Sequence, residues 1–176
     1  MSELEEAWQL ALAAAEQRAH GAGRADVAAY LRLKSSNDLL RKTGIEWLLQ
    51  TFRVLAGKAN RAGAAIQISE QDSHRFSVGN ATMVGPQLTL TFGVRTLSIE
   101  AGWPRVPGDS FIRGGGLARA RIKHLGRGSL NQELLLERTP HGPPVWGVIN
   151  RTGKQSKLLE AGLQQHIAKL ISDEYH

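Results

Sequence analysis

The sequence predicts an α+β fold, in which helices at both ends of the chain pack on a mostly antiparallel, meander-like sheet of about six to eight strands. Three observations predict it. Apolar residues recur at helical spacing in the first third of the chain, alternate with polar residues in the middle, and return to helical spacing near the end. No flexible linker interrupts this order, so we expect a single domain over 1–176. Within it, we expect helices in 1–63, the sheet in 64–150 and a C-terminal helix in 156–173.

The first third of the chain predicts three helices. A capping box at Ser2 and Glu5 opens the first helix, which we expect to end at Gly21. A short second helix is expected over 26–33, and the Ser-Asn-Asp run at 36–38 then offers a new N-cap. Behind that cap lies the longest apolar stripe of the chain, which we expect to be buried. Its members are Ile45, Leu48, Leu49, Phe52, Leu55, Ala56 and Ala59, and Gly63 is the expected stop.

Two short turns predict two hairpins. Gly79-Asn80 and Gly93-Val94 each have the composition of a two-residue turn between strands. The registers that these turns impose are Val78 with Ala81, Phe76 with Met83, Phe92 with Arg95, Leu90 with Leu97 and Leu88 with Ile99. In the second hairpin the apolar partners share one face and the threonine and serine partners share the other. We therefore expect the apolar face to cover the core.

The stretch SFIRGGGLARARIKHLGRG, residues 110–128, allows either a helix or a strand. It lacks the glycine spacing of nucleotide-binding loops. A helix would place Arg121 within the apolar arc. A strand instead turns the small and apolar residues of 118–122 to one face and the cations Arg119, Arg121 and Lys123 to the other. The cleaner alternation predicts a strand.

Two further strands and a last helix complete the predicted elements. Strands are expected over 133–138 and 145–149, on either side of the turn-rich TPHGPP, and a helix from about Ser156. The apolar stripe of that helix consists of Leu159, Leu163, His166, Ile167, Leu170 and Ile171. We expect this stripe to pack on the sheet.

Composition limits the class of protein. The chain has 41% hydrophobic and 22% charged residues, which is typical of a folded soluble domain, and no cysteine, which excludes disulfides and thiolate metal sites. No apolar run is long enough to span a bilayer, and the acidic start is unlike an export signal. We therefore expect a cytoplasmic protein with no membrane segment.

Positive charge is concentrated in one segment. The net charge is +6, and residues 101–132 hold six cations against the single acid Asp109. This concentration predicts an anion-binding surface that would contact an anionic ligand, a nucleic acid or an acidic protein. Its expected residues are Arg113, Gly114, Gly115, Arg119, Arg121 and Lys123. The alternative is a basic strand that faces only water.

A second hypothesis is a small-molecule or enzymatic pocket between the sheet and the helices, with a volume of at least ~300 Å³. Its expected lining is Glu100, Arg95, His74, His124, Trp103 and Arg105. The chain has no recognised catalytic motif, so enzymatic activity stays open, and nothing indicates a cofactor. The six histidines lack the spacing of paired metal ligands. A third hypothesis is an assembly role for exposed apolar strips on the N-terminal helices, and the oligomeric state is open.

Overall fold

The structure, a computed structural model, describes residues 3–21, 23–105 and 116–172. It confirms the α+β class with three α-helices and a seven-stranded antiparallel meander in these residues. The helices are α1 (Glu3–Gly21), α2 (Ala25–Arg61) and α3 (Glu160–Ile171). The strands are β1 (Gln67–Val78), β2 (Ala81–Phe92), β3 (Arg95–Gly102), β4 (Ala118–His124), β5 (Gln132–Glu137), β6 (Val145–Ile149) and β7 (Gln155–Lys157).

The second and third predicted helices form one continuous helix, α2, so the predicted N-cap at 36–38 is wrong. The polar side chains there make tertiary contacts instead of capping the backbone. Asp38 is buried and accepts a hydrogen bond from Arg41 at 2.8 Å, while Arg41 also donates to the Leu117 carbonyl at 2.7 Å. Asn37 accepts a hydrogen bond from Arg138. Leu117 and Arg138 lie far along the chain, so their contacts leave no local sequence signal.

Strand order follows chain order, with each strand hydrogen-bonded to the next. Both predicted hairpin registers are confirmed. Val78 pairs with Ala81 at the first turn, and Phe92 pairs with Arg95 at the second. The strand predicted around 118–122 is also confirmed as β4.

The inner face of the sheet packs against α2 and α3 and contains the main core. Leucine and isoleucine side chains of β2 to β5 are fully buried there against the apolar stripe of α2. Gly44 lets α2 approach the sheet closely, because a Cβ at that position would lie 2.5 Å from a Leu136 methyl carbon. At the same point Trp146 Nε1 donates to the Gly44 carbonyl at 2.8 Å. Together these contacts fix α2 on β5 and β6.

The outer face, opposite the helices, is partly covered by the end of the β1–β2 hairpin. A register shift between Gln71 and His74 interrupts β1, and the far end of the hairpin bends across the sheet. Its Phe76 and Met83 form a small buried cluster with Leu135 of β5, although three strands lie between β1 and β5. This fold-over gives the sheet a second, smaller core.

Two glycines permit the close approach of β2 and β3 at the bend of the β1–β2 hairpin. A Cβ at Gly85 would lie 1.9 Å from the Ala101 carbonyl oxygen, and one at Gly102 would lie 2.5 Å from the Val84 carbonyl oxygen. Neither backbone atom can move aside as a flexible side chain could. Any side chain at either position would therefore force the two strands apart.

The last helix begins at Glu160 rather than near Ser156. Residues Gln155–Lys157 pair with β6 as the short strand β7, because Asn150 closes a turn in front of them. The Asn150 side-chain oxygen accepts hydrogen bonds from the backbone amides of Thr152 and Lys154 at 3.1 and 2.8 Å. Leu159, placed on the predicted apolar stripe, precedes the helix and is exposed.

Candidate functional site

Strand β4 presents three cations on the outer face of the sheet. Alternate residues of β4 are buried against the helices, whereas Arg119, Arg121 and Lys123 remain partly exposed on the other side. These residues belong to the anion-binding surface proposed from the sequence. The other members of that set, Arg113, Gly114 and Gly115, lie outside the described residues.

Two carboxylates stand beside these cations. Strand register places Glu100 of β3 and Glu133 of β5 on either side of Arg121. Glu100 Oε1 lies 3.8 Å from a terminal nitrogen of Arg121 and 3.3 Å from Lys123 Nζ. Glu133 lies 3.7 Å from Arg121 Nε and 3.4 Å from Arg119. Three cations therefore face two carboxylates, which leaves one positive charge in excess.

The end of the β1–β2 hairpin covers this row of charges. His74 Nε2 lies 2.8 Å from Glu100 Oε2. Phe76 stacks on the His74 ring, and the Arg121 guanidinium lies 6.0 Å from the centroid of the Phe76 ring. Arg121 also donates to the Ser77 carbonyl. As a result, the Glu100 side chain is only 1% exposed.

Two polar atoms at the centre of this cluster make no well-aligned hydrogen bond among the described residues, although one lies 3.3 Å from Lys123 Nζ and the other 3.7 Å from Glu133. They are Glu100 Oε1, an acceptor, and Arg121 Nε, a donor, and both are buried. A cleft of about 190 Å³, lined in part by Arg121, Lys123 and Glu133, opens beside Arg121, whereas Glu100 and Arg119 do not line it. Burial lowers the pKa of Arg119 from its ordinary value, and Arg121 adds to this effect against the opposing charge of Glu133. The arrangement has room and polarity for a small molecule that both donates and accepts hydrogen bonds.

The structure brings together two of the six residues proposed to line a pocket, His74 and Glu100. The others lie elsewhere. Arg95 donates to backbone carbonyls at the C-terminal end of α3. Trp103 is buried, with the Arg105 guanidinium 3.6 Å from its ring centroid.

His124, also in that set, lies on the inner face and forms a buried pair with His166 of α3. His124 Nε2 is 2.8 Å from His166 Nδ1, and His166 Nε2 is 2.9 Å from the Gln132 side-chain oxygen. Since that oxygen can only accept, His166 Nε2 carries the ring proton, and His166 Nδ1 accepts a hydrogen bond from His124 Nε2. Burial lowers the pKa of both histidines to about 4, and the charge of Lys169 adds to the effect.

Sequence reasoning missed Glu133 as a member of the charged cluster. The sequence of β5, QELLLE, does not alternate between polar and apolar residues, because Leu135 lies on the same outer face as Glu133 but is apolar. Leu135 is apolar because the β1–β2 hairpin covers it. Register counted outward from β4 would have placed Glu133 opposite Arg121, and this was the available signal.

A second concave surface, the helical groove, lies along α1 and α2, the interior of β1 and β2, and the residues that follow β3. It is open and has a volume of about 1720 Å³. Trp103 and Arg105 line it, but His74 and Glu100 do not. The groove runs beside the helices, whereas the space between the helices and the sheet is filled by the core.

No protein family, characterised protein or solved structure matches this chain. Among the described helices, none is long and apolar enough to cross a membrane. Within the same residues, no three histidine, aspartate or glutamate side chains are grouped so that they could hold a metal ion. Functional inference therefore depends on the geometry of the charged cluster and the helical groove.

Proposed function

We propose that this protein binds a small anionic ligand in the cleft beside β4, through Arg121 and Lys123, which line the cleft, with Arg119 of the same strand adding positive charge. The observation that carries this proposal is the buried Nε–H of Arg121, which makes no well-aligned hydrogen bond among the described residues. Leaving a buried donor unsatisfied costs about 1–3 kcal/mol, and more when the group is charged. A ligand oxygen would satisfy this donor. The excess of one positive charge favours an anion over a neutral molecule.

The cleft favours a small ligand over a macromolecule. Its volume of about 190 Å³ suits a carboxylate or phosphate group. The side chains of Arg119 and Arg121 are only 15% and 28% exposed. A nucleic acid or an acidic protein needs cations that project into solvent, so recessed arginines suit these partners less well. We place this binding activity in the cytoplasm, on the ground that the chain contains no cysteine.

A ligand that also carries a hydrogen-bond donor suits the cleft best, because the Glu133 carboxylate lines it and accepts hydrogen bonds. A hydroxy acid or a singly protonated phosphate has both an anionic oxygen and a donating hydroxyl group. A simple halide has no donor. The geometry therefore favours protonated or hydroxylated oxyanions over chloride at equal concentration.

Calorimetry and thermal unfolding with inorganic phosphate, glycolate and chloride test the proposal. At ten times its dissociation constant, a bound oxyanion stabilises the folded state by about 1.4 kcal/mol, which raises Tm by roughly 3–6 °C for a chain of this size. Arg121→Gln should abolish the shift. Arg61→Gln removes the same charge from the exposed end of α2 and should leave the shift intact.

Two results would count against the proposal. One is an equal Tm shift in the Arg121→Gln and Arg61→Gln variants, because the effect would then be non-specific screening. The other is binding of a single-stranded oligonucleotide, but of no small oxyanion, by the wild-type chain. That outcome would favour a nucleic-acid surface instead.

The His74–Glu100 pair favours a second candidate, proton transfer on the outer face of the sheet, next to the cleft that neither residue lines. A histidine held at 2.8 Å by a buried carboxylate is oriented for general acid–base chemistry. Wild-type and His74→Gln chains would be compared on a panel of small esters and phosphate monoesters. Turnover that is lost in His74→Gln while ligand binding persists would support this candidate. Absence of turnover by the wild-type chain would leave binding as the function.

A further inference from the structure

Helix α1 and the first half of α2 form a two-helix arm, residues 3–21 and 25–43. The two helices pack against each other through the buried Leu12, Ala19 and Ala28, and Arg32 pairs with Glu16 at 2.8 Å. The second half of α2 buries a continuous stripe on the sheet. In contrast, Ala28 and Asp38 are the buried residues of α2 within 25–43. The arm therefore has one packed seam, and much of its remaining surface faces solvent.

The solvent side of the arm is unusually apolar. Leu4, Trp8, Tyr30 and Leu33 are 76%, 47%, 64% and 54% exposed, and all four line the helical groove. Leu39, Trp47 and Val54 extend the same lining along α2. Together these side chains expose on the order of several hundred Å² of apolar surface, which in a soluble protein marks an interaction site. Covering this apolar surface with a partner would therefore be more favourable than leaving it exposed to water.

The groove is too large for a metabolite and suits helices. Small-molecule pockets are typically about 300–1,000 Å³ and enclose their ligand. The helical groove measures about 1720 Å³ and is open along its length. Two helices that bury one seam between them can bury their remaining apolar surface in a four-helix bundle.

Charge on the arm is divided between its two helices in a self-complementary way. Helix α1 contains four glutamates and one arginine, whereas residues 25–43 contain four cations and two aspartates. Two of the cations are already paired within the chain, Arg32 with Glu16 and Arg41 with Asp38. The remaining charge is still negative on α1 and positive on residues 25–43, so packing α1 of one arm against α2 of the other brings opposite charges together. The arm as a whole is close to neutral, and an anionic membrane surface would favour a basic face instead.

We propose that a second copy of this chain packs its helical arm into the groove, so that two arms form a four-helix bundle and the protein is a homodimer. The pairing is symmetric, because the same surface of each copy supplies both the groove and its occupant. The arm and the cleft beside β4 share no lining residue, so dimerisation is independent of the proposed anion binding.

Sedimentation of the full chain tests this proposal with a matched pair of variants. Wild-type protein should sediment as a dimer of about 38 kDa, twice the 19.2 kDa of one chain. Leu4→Glu should raise the dimer dissociation constant by roughly thirtyfold or more, because it would place a charge in the interface between the two copies. Leu10→Glu makes the same change on the same helix at a residue that is 73% exposed and does not line the groove. It should leave the dimer intact.

Cross-linking tests the orientation of the arms. The chain has no cysteine, so single cysteines can be introduced without side reactions. With a bifunctional maleimide, Ala11→Cys in the groove should give covalent dimers, while Ala13→Cys, which is exposed but outside the groove lining, should give few. Circular dichroism confirms that each variant is folded.

A wild-type chain that is monomeric across the micromolar range would overturn the proposal. So would a dimer that Leu4→Glu and Leu10→Glu weaken equally, because the interface would then lie elsewhere. A monomer that binds phosphatidylglycerol vesicles, and loses that binding in Leu4→Glu, would identify a lipid surface as the occupant and would also overturn it.

Discussion

The two faces of the sheet bury polar groups in opposite ways. On the inner face, His124 and His166 are buried between β4 and α3, and burial lowers the pKa of both to about 4, which keeps the rings neutral. On the outer face, Glu100 is equally buried but lies among the cations Arg121 and Lys123. The buried polar groups of the inner face are therefore neutral, whereas those of the outer face are charged and paired.

This difference follows from what covers each face. Two helices cover the inner face with apolar side chains, so a charged ring there has no nearby water or counter-ion. Among the described residues, the bent end of the β1–β2 hairpin alone covers the outer face, and long cationic side chains reach solvent around it. A thin cover permits charge beneath it, and this makes the outer face the better place for chemistry.

The largest effect should come from core packing on the inner face. Phe52→Ala empties a fully buried site and should cost about 3–5 kcal/mol of unfolding free energy. Phe76→Ala makes the same change in the small outer cluster, where fewer apolar neighbours surround the ring, and should cost at least about 1 kcal/mol less. Urea unfolding measures both. Equal losses would show that the outer cluster contributes as much as the main core.

The pH dependence of stability should come from the inner face. The unfolded chain has histidines of pKa about 6.5, whereas His124 and His166 have values of about 4 in the folded state. As pH falls below 6.5 the unfolded chain takes up protons first, so stability falls between pH 6.5 and 4 and levels off below that. Each ring that titrates in this way contributes about 3 kcal/mol.

Urea unfolding at a series of pH values, for the wild type and for a His124→Asn/His166→Asn double variant, measures this contribution. The double variant should be less stable at pH 7 but should show a flatter curve between pH 6.5 and 4. Parallel curves for the two proteins would assign the acid sensitivity to other groups.

A moderate effect is expected from the buried carboxylate of the outer face. Glu100→Gln keeps the shape of the side chain but removes the charge that faces Arg121 and Lys123. Because both cations can turn toward solvent, the loss should be about 1–2 kcal/mol rather than the larger penalty of a fully buried unpaired charge. Thermal unfolding in low salt measures it. A gain in stability would show that Glu100 is retained at a cost, as expected for a group with a functional role.

The smallest effect should come from Glu133. Its side chain is 49% exposed, and its nearest contacts with Arg119 and Arg121 are 3.4 and 3.7 Å. Glu133→Gln should therefore change stability by less than about 0.5 kcal/mol. The same variant should strengthen binding of an oxyanion in calorimetry, since it removes a competing negative charge from the cleft. Weaker binding would contradict the proposed role of the cleft.

Local patterns in the sequence predicted the sheet well. The turns at Gly79 and Gly93 set register by themselves, and the alternation of β4 separated its cations from its buried residues. These features depend on neighbours within a few residues. The continuity of α2 could not be predicted in this way, because Asp38 is held by Arg41 and Arg41 by the distant Leu117 carbonyl.

The candidate site was predicted in part. The sequence indicated Glu100 and the β4 cations as separate possibilities, but their meeting depends on the pairing of β3 with β4 across a connection that composition alone does not fix. The bend that brings His74 over Glu100 depends on close backbone contacts at Gly85 and Gly102. The spacing of apolar residues in the sequence does not indicate such a bend.

The strictly sequential order of the sheet has a consequence for synthesis on the ribosome. Each strand pairs with the one translated just before it, so the sheet can grow hairpin by hairpin without waiting for a distant partner. Helix α2 emerges earlier, and its apolar stripe meets its partners only as the strands appear. Helix α3 is translated after all seven strands and completes the cover of the inner face. The nascent chain therefore exposes an unfinished core until α3 has emerged.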